Sequence, residues 1–291
     1  MSQAEPLTFG DKLGAVFDRS GHLCVGIDPH AWMLDRWGLD DSADGAREFG
    51  LRVVEAAWNR AGIVKPQVSF FERFGSAGYQ ALERVIAEAR AAGILVIADA
   101  KRGDIGSTQQ AYGEAWLRPG SPLESDAVTL SPYLGLGSLQ SSLELAEAAG
   151  KGVFVLAATS NPEAAGLQTA RVVESERTVA ASMLAGVSAW NNAQKDSAER
   201  RFGSIGVVLG ATLDLSDFGI GIDEEQHGPS VPVLAPGFGH QGAEVSETRR
   251  VYGALTPGVI VSESRGLLGA GPDGIADAIA RRAEEVEAKR G

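Results

Sequence analysis

The feature that most constrains this chain is a recurrence of short, continuous apolar runs separated by amphipathic stretches. The runs lie at 23–27, 62–65, 94–99, 126–130, 153–158, 205–210, 231–235 and 258–262. They are apolar throughout rather than alternating, as expected of parallel strands covered on both faces. Residues between them fall at helical spacing. Phe49, Val53 and Ala56 share a face, as do Leu82, Val85, Ile86 and Ala89, and later Ile275, Ile279 and Val286. Gly62 and Gly93 follow two of these helices, where a glycine favours termination.

This alternation predicts either an open doubly wound sheet or a closed barrel. An open sheet that binds a dinucleotide carries a glycine-rich loop after its first strand, whereas here that strand ends Gly26-Ile27-Asp28-Pro29. Polar residues also stand at or just beyond most strand ends: Asp28, Lys65, Asp99, Ser160, Gln241 and Arg265. A barrel gathers all strand ends on one rim, where active sites form. The expected fold is therefore an α/β class (β/α)8 TIM barrel, one domain over 1–291. It would carry a short N-terminal extension at 1–20 and a helical insertion around 163–203, holding a helix at Val172–Ala189 and a shorter one after it. The 44% hydrophobic content permits so large a core and argues against disorder.

Charge and cysteine usage narrow the function classes. A net charge of -12 argues against a nucleic-acid partner, though not against a local pocket for one phosphate. No apolar run approaches the roughly 20 residues of a membrane span, and the opening MSQAEPLTFGDKL lacks the basic and apolar regions of a signal peptide. A cytoplasmic protein without membrane partners is expected. The single cysteine, Cys24, rules out an internal disulfide and reads as a buried, inert thiol. His22, His30, His227 and His240 show no metal-ligand spacing and read as surface or loop residues, with His240 near a mobile loop. The tryptophans read as core or interface packing.

The most informative stretch is Ile94-Leu95-Val96-Ile97-Ala98-Asp99-Ala100-Lys101-Arg102-Gly103-Asp104-Ile105. Positions 99 and 101 point the same way in an extended chain, so Asp99 and Lys101 face one cavity. Gly103 is read as letting the chain turn, and Asp104 leads into a helix beginning near Ser107. In isolation these charges serve equally well as a helix cap and solvated loop residues. Lys65, at the end of the preceding strand, changes that balance. Alternating lysines and acids hold the lysines protonated, and burying them is costly unless every charge is paired.

With these residues in view, the chain resembles the orotidine 5'-monophosphate decarboxylases along nearly its whole length, and in particular their longer bacterial subfamily. Asp99-Ala100-Lys101-Arg102-Gly103-Asp104-Ile105-Gly106-Ser107-Thr108 is similar to D-x-K-x-x-D-I-x-x-T. Lys65-Pro66-Gln67-Val68-Ser69-Phe70-Phe71-Glu72 is similar to K-P-N-x-x-F-F-E, with Gln67 in place of Asn. Thr159-Ser160-Asn161-Pro162, Val207-Val208-Leu209-Gly210-Ala211-Thr212, Pro236-Gly237-Phe238-Gly239-His240-Gln241-Gly242 and Ser264-Arg265-Gly266 resemble further blocks, in the family's order. Ser131-Pro132-Tyr133-Leu134-Gly135 resembles N-P-Y-L-G with Ser131 in place of Asn.

The resemblance implies a cofactor-free enzyme of UMP biosynthesis that converts orotidine 5'-monophosphate to UMP and CO2, with no metal. Lys65, Asp99, Lys101 and Asp104 would form the charge network, Lys101 acting as electrostatic stabiliser and proton donor to C6. Asp28 would bind a ribose hydroxyl and Ser160 the pyrimidine. Gln241 and Arg265 would hold the phosphate, with Pro236 and Ser264 beside them in the matched blocks. The resemblance also implies a homodimer whose Asp104, Ile105 and Thr108 complete the partner's site. Two other readings compete. Magnesium-dependent sugar-phosphate lyases and decarboxylases share the D-x-K-x-x-D pattern but are similar to one another in placing a metal-binding acid where this chain has Lys65. A non-catalytic barrel that binds a phosphorylated metabolite would not need two lysines and two acids.

Overall fold

In the computed structural model, which describes residues 7–222 and 228–291, eight parallel strands close into a barrel in sequence order, β1 pairing with β8. The strands are β1 Leu23–Ile27, β2 Ile63–Pro66, β3 Leu95–Arg102, β4 Ala127–Leu130, β5 Gly152–Ala158, β6 Ile205–Leu209, β7 Val233–Pro236 and β8 Val259–Glu263. The main helices are α1 Phe9–Ser20, α2 Ala43–Ala57, α3 Gly75–Ala91, α4 Gly106–Leu117, α5 Gln140–Ala149, α6 Val179–Asn192, α7 Thr248–Tyr252 and α8 Gly271–Lys289. The fold is the expected (β/α)8 TIM barrel, and each strand falls within a few residues of its apolar run. Among the described residues no helix is long and apolar enough to cross a membrane.

The period of two along each strand divides the core into two layers. Val25, Val64, Val96 and Val128 face outward against the helices. Cys24, Ile63, Ile97, Ala127, Phe154, Leu234 and Ile260 face inward and fill the barrel. The helices meet the outer layer with the faces read from the sequence: Phe49, Val53, Ala56, Leu82, Val85, Ile86, Ala89, Ile275, Ile279 and Val286 are all buried.

The region 1–20 contributes a structural helix. α1 starts from a Thr8–Asp11 capping box and lays Phe9, Leu13 and Phe17 across the strand starts, against Phe154 and Phe202. Each buried aromatic there stabilises the closed base by roughly 2–3 kcal/mol. The helix thus covers the strand starts, and the cavity described below lies at the opposite end of the barrel.

Several local expectations require correction. The helix expected at Val172–Ala189 begins at Val179, because Thr178 caps it by accepting from the Ala181 N–H and an Arg171–Thr178 antiparallel bridge holds the preceding turn. The shorter helix expected after it is a single 3-10 turn, Ser197–Glu199. Gly93 has the positive φ of a helix terminator, but α2 is followed by Asn59 at φ 58, and Gly62 is needed because a Cβ there would strike Val16. His22 is buried, stacked 3.8 Å from Phe17, and is not a surface residue. His227 lies outside the described residues.

Candidate active site

On most strands the inward residue two positions beyond the apolar plug stands level with the open rim. Ile63 is followed by Lys65, Ile97 by Asp99, Ala127 by Thr129, Leu234 by Pro236 and Ile260 by Ser262. The period that fills the barrel also places polar groups above the plug. Lys65, Asp99, Pro236 and Ser262 line a cavity of about 260 Å3 with Leu234 at its floor, and Thr129 lies fully buried behind Asp99.

Asp99 is the hub. Lys65 Nζ donates to its Oδ2 at 3.0 Å, Lys101 Nζ to its Oδ1 at 2.6 Å, and Thr129 Oγ1 to Oδ1 at 2.9 Å. Lys65 and Asp99 are 7% and 9% exposed, so each charge is desolvated and must be matched. Burial opposes ionisation of Asp99, yet the two ammonium groups overcome it and hold the carboxyl well below the usual carboxylate range. Burial likewise opposes the charge of Lys65, and Asp99 and Asp28 outweigh it, raising its pKa above the ordinary lysine value.

Lys101 reaches this position by an irregular route. It has φ 49, unusual for a residue with a side chain, and the pairing of β3 with β4 shifts register between Ala98 and Arg102. Its backbone N–H donates to Thr129 Oγ1 at 3.0 Å. Such strain persists where surrounding contacts over-determine it. Gly103 does not supply the turn expected of it. Its φ is unexceptional, and it is required because a Cβ would collide with the Ser131 carbonyl oxygen. Gln67, which departs from the family pattern, accepts from Lys101 Nζ at 3.4 Å and so takes part in the array.

The rest of the rim completes the cavity. Asp28 Oδ2 accepts from Ser264 Oγ at 2.6 Å, while its Oδ1 is buried with no partner among the described residues. A buried acceptor left unpaired is an opening for a ligand hydroxyl. Ser160, Pro236, Gln241 and Arg265 also line the cavity. The β7 loop turns through Gly237, Gly239 and Gly242, all at positive φ, which lets the backbone approach an anion closely. Gly239 and Gly266 both pack on the carboxylate of buried Glu263, which Arg282 of α8 anchors at 2.6 Å.

Asp104, Ile105 and Thr108 do not enter this cavity. Asp104 accepts from the Ile105 N–H through Oδ1, its own N–H donates to Gln109 Oε1, and it pairs with no cation among the described residues. Ile105 is 59% exposed. The sequence reading missed Thr129, because a lone Thr in an apolar strand carries no signal without the register of its neighbour. It also left Thr159, Asn161 and Phe238, which line the cavity, without assigned roles. Cys24 is fully buried and its thiol is pushed up to about 12, chiefly by that burial, which makes it inert as expected. Among the described residues no three His, Cys, Asp or Glu side chains meet in a way that would hold a metal ion.

Comparison with known proteins agrees with this architecture. The profile of the orotidine 5'-phosphate decarboxylase / HUMPS family matches residues 21–278. An orotidine 5'-phosphate decarboxylase of Streptomyces coelicolor is 50% identical over 266 residues, 91% of each chain. A Streptomyces avermitilis crystal structure assigned to orotidine 5'-phosphate decarboxylase superimposes with TM-score 0.88 at 47% identity, covering 100% of this chain and 98% of that one. Leishmania donovani OMP decarboxylase gives 0.76 at 31% identity, covering 98% and 99%. The chain belongs to the orotidine 5'-phosphate decarboxylase / HUMPS family.

Proposed function

We propose that this protein decarboxylates orotidine 5'-monophosphate to UMP and CO2 in pyrimidine biosynthesis, without a metal or organic cofactor. The observation that carries this reading is the buried Lys65–Asp99–Lys101 array in a cavity whose β7 and β8 loops present Gln241 and Arg265. The family also includes metal-dependent branches. An ammonium at the end of β2, already committed to Asp99, repels a divalent cation and favours the metal-free branch.

The chemistry suits these residues. Breaking the bond between C6 and the carboxylate leaves an electron pair on C6, in the ring plane and without conjugation. The barrier reduction needed lies towards the upper part of the roughly 8–23 kcal/mol range of enzymatic acceleration. Lys101 places a fixed positive charge beside that pair and transfers a proton to C6. It leaves as a neutral amine and regains its proton from solvent after product release. One preorganised donor supplies about 3–4 kcal/mol, so the remainder comes from phosphate binding and closure of the site. Asp99 orients Lys101 and crowds the substrate carboxylate. Asp28 receives a ribose hydroxyl at its unpaired Oδ1. Gln241 and Arg265 bind the phosphate, Arg265 in the two-pronged manner a guanidinium allows.

The functional unit in this reading is a homodimer acting in the cytoplasm, where its phosphorylated substrate is retained. Asp104 lies outside its own cavity and has no cation to balance it among the described residues, and the adjacent β3 and β4 loops expose Ile105, Tyr133 and Leu134. A second copy packed there would bury those side chains and deliver Asp104, Ile105 and Thr108 to its partner's site. The test of activity is direct: the protein incubated with orotidine 5'-monophosphate is expected to yield UMP and CO2 in equal amounts. Absence of UMP would refute the assignment.

A further inference from the structure

The segment between β5 and β6 is longer than a barrel crossover needs, and one of its side chains reaches back to the rim. Gln168, half-buried at the end of the short helix Ala165–Gln168, grips Thr159 twice. Its Oε1 accepts from the Thr159 N–H at 2.9 Å, and its Nε2 donates to Thr159 Oγ1 at 3.0 Å. A backbone N–H can only donate, which fixes the orientation of the Gln168 amide. Thr159 Oγ1 therefore accepts from Gln168 and donates its own hydrogen to Asn161 Oδ1 at 2.8 Å. Asn161 Nδ2 in turn faces Glu163 Oε2 at 3.1 Å. One amide thus sets the direction of the side-chain hydrogen bonds from Gln168 through Thr159 to Asn161.

Thr159, Ser160 and Asn161 all line the cavity, whereas Gln168 does not. The lysine array serves the reacting carbon and the β7 and β8 loops serve the phosphate. The remaining cluster of uncharged polar groups on the rim is this loop, matched in chemistry to the amide edge of a pyrimidine. We propose that Gln168 is a positioning residue that locks the Thr159–Ser160–Asn161 loop in place and in hydrogen-bond polarity, so that the enzyme reads the base of its nucleotide. The inference rests on the nucleotide reading above and assigns a role to the inserted segment.

The test compares binding of UMP with binding of ribose 5-phosphate, which lacks the base, by titration calorimetry on the full chain. Gln168→Ala is expected to weaken UMP about tenfold, the scale of two partly exposed hydrogen bonds, and to leave ribose 5-phosphate unchanged. Gln168→Glu keeps the backbone grip but makes the Thr159 hydroxyl turn from Asn161 to the new carboxylate, so a smaller, base-specific loss is expected. Equal losses for both ligands, or unaltered UMP binding in Gln168→Ala, overturn the inference while leaving the nucleotide reading intact. Wild-type protein that binds UMP no better than ribose 5-phosphate overturns both.

Discussion

Lys65 and Asp99 meet across the seam between β2 and β3, Nζ to Oδ2 at 3.0 Å, with both side chains almost wholly removed from water. The pair is costly to bury and contributes little packing. Its evident use is to hold a negative charge where Lys101 can be anchored on the other carboxylate oxygen. Removing one member leaves the others uncompensated, a loss of about 3–5 kcal/mol for a buried pair.

Lys101→Ala is expected to lower turnover by at least about a thousandfold, the upper scale for loss of one preorganised charge. UMP binding should be largely retained, because Gln241, Arg265 and Asp28 are untouched. Steady-state kinetics and calorimetry together check this. Comparable turnover in the variant would remove Lys101 from the mechanism.

The proposed sharing of sites across a dimer makes a prediction about mixtures. Lys101→Ala and Asp104→Ala homodimers should each be inactive, and mixing them under exchange conditions should restore about a quarter of wild-type activity. Half of randomly reassorted dimers are hybrids, and each hybrid rebuilds one of two sites. No recovery, despite demonstrated subunit exchange, would place Asp104 in its own chain's site, and an active Asp104→Ala homodimer would place it outside the chemistry.

Gly239→Ala tests the phosphate-binding role proposed for the β7 loop. The glycine has φ +68, and a Cβ would press on the Glu263 carboxylate that Arg282 holds. The loop must shift, and KM for the nucleotide should rise by about tenfold, a strain cost of 1–3 kcal/mol, while affinity for uridine, which lacks phosphate, stays unchanged. Equal effects on both ligands would point to general damage.

His22 gives a stability prediction. Burial lowers its pKa to about 4, with repulsion from Arg290 adding to the effect and Glu287 opposing it. Between pH 6.5 and 4 the unfolded chain binds the proton and the folded chain does not, so stability falls as pH drops through that window and levels off below it. The contribution is on the order of 3 kcal/mol. His22→Phe, which keeps the stack on Phe17, should show a shallower fall in Tm over the same window. Parallel slopes would exclude His22 as the source.

Much of this was legible in the sequence, for a physical reason. Parallel strands buried on both faces must be continuous apolar runs, so the strand set is written plainly. Lys65, Asp99 and Lys101 could be read because charges at the ends of such runs are conspicuous. Lys101's positive φ and the Thr129 contact were hidden, since both depend on a register shift between β3 and β4. Gln168 was hidden for a similar reason: its partner is nine residues back, across a turn no local pattern specifies. The β5–β6 segment was misjudged because the Ala, Glu and Arg content of 163–203 as a whole was extended over 172–178, where Val172, Val173, Ser175 and Thr178 favour helix weakly and the Thr178 cap and the Arg171–Thr178 bridge set a later start.

In the proposed mechanism Lys65, standing at the end of β2, is what makes this site a metal-free decarboxylase. The most direct measurement is the ultraviolet progress curve for loss of orotidine 5'-monophosphate, run on metal-stripped protein with and without EDTA. The expected result is rapid decarboxylation at the same rate in both, unaltered by added magnesium. Activity that is lost in EDTA and restored by magnesium would contradict that role of Lys65.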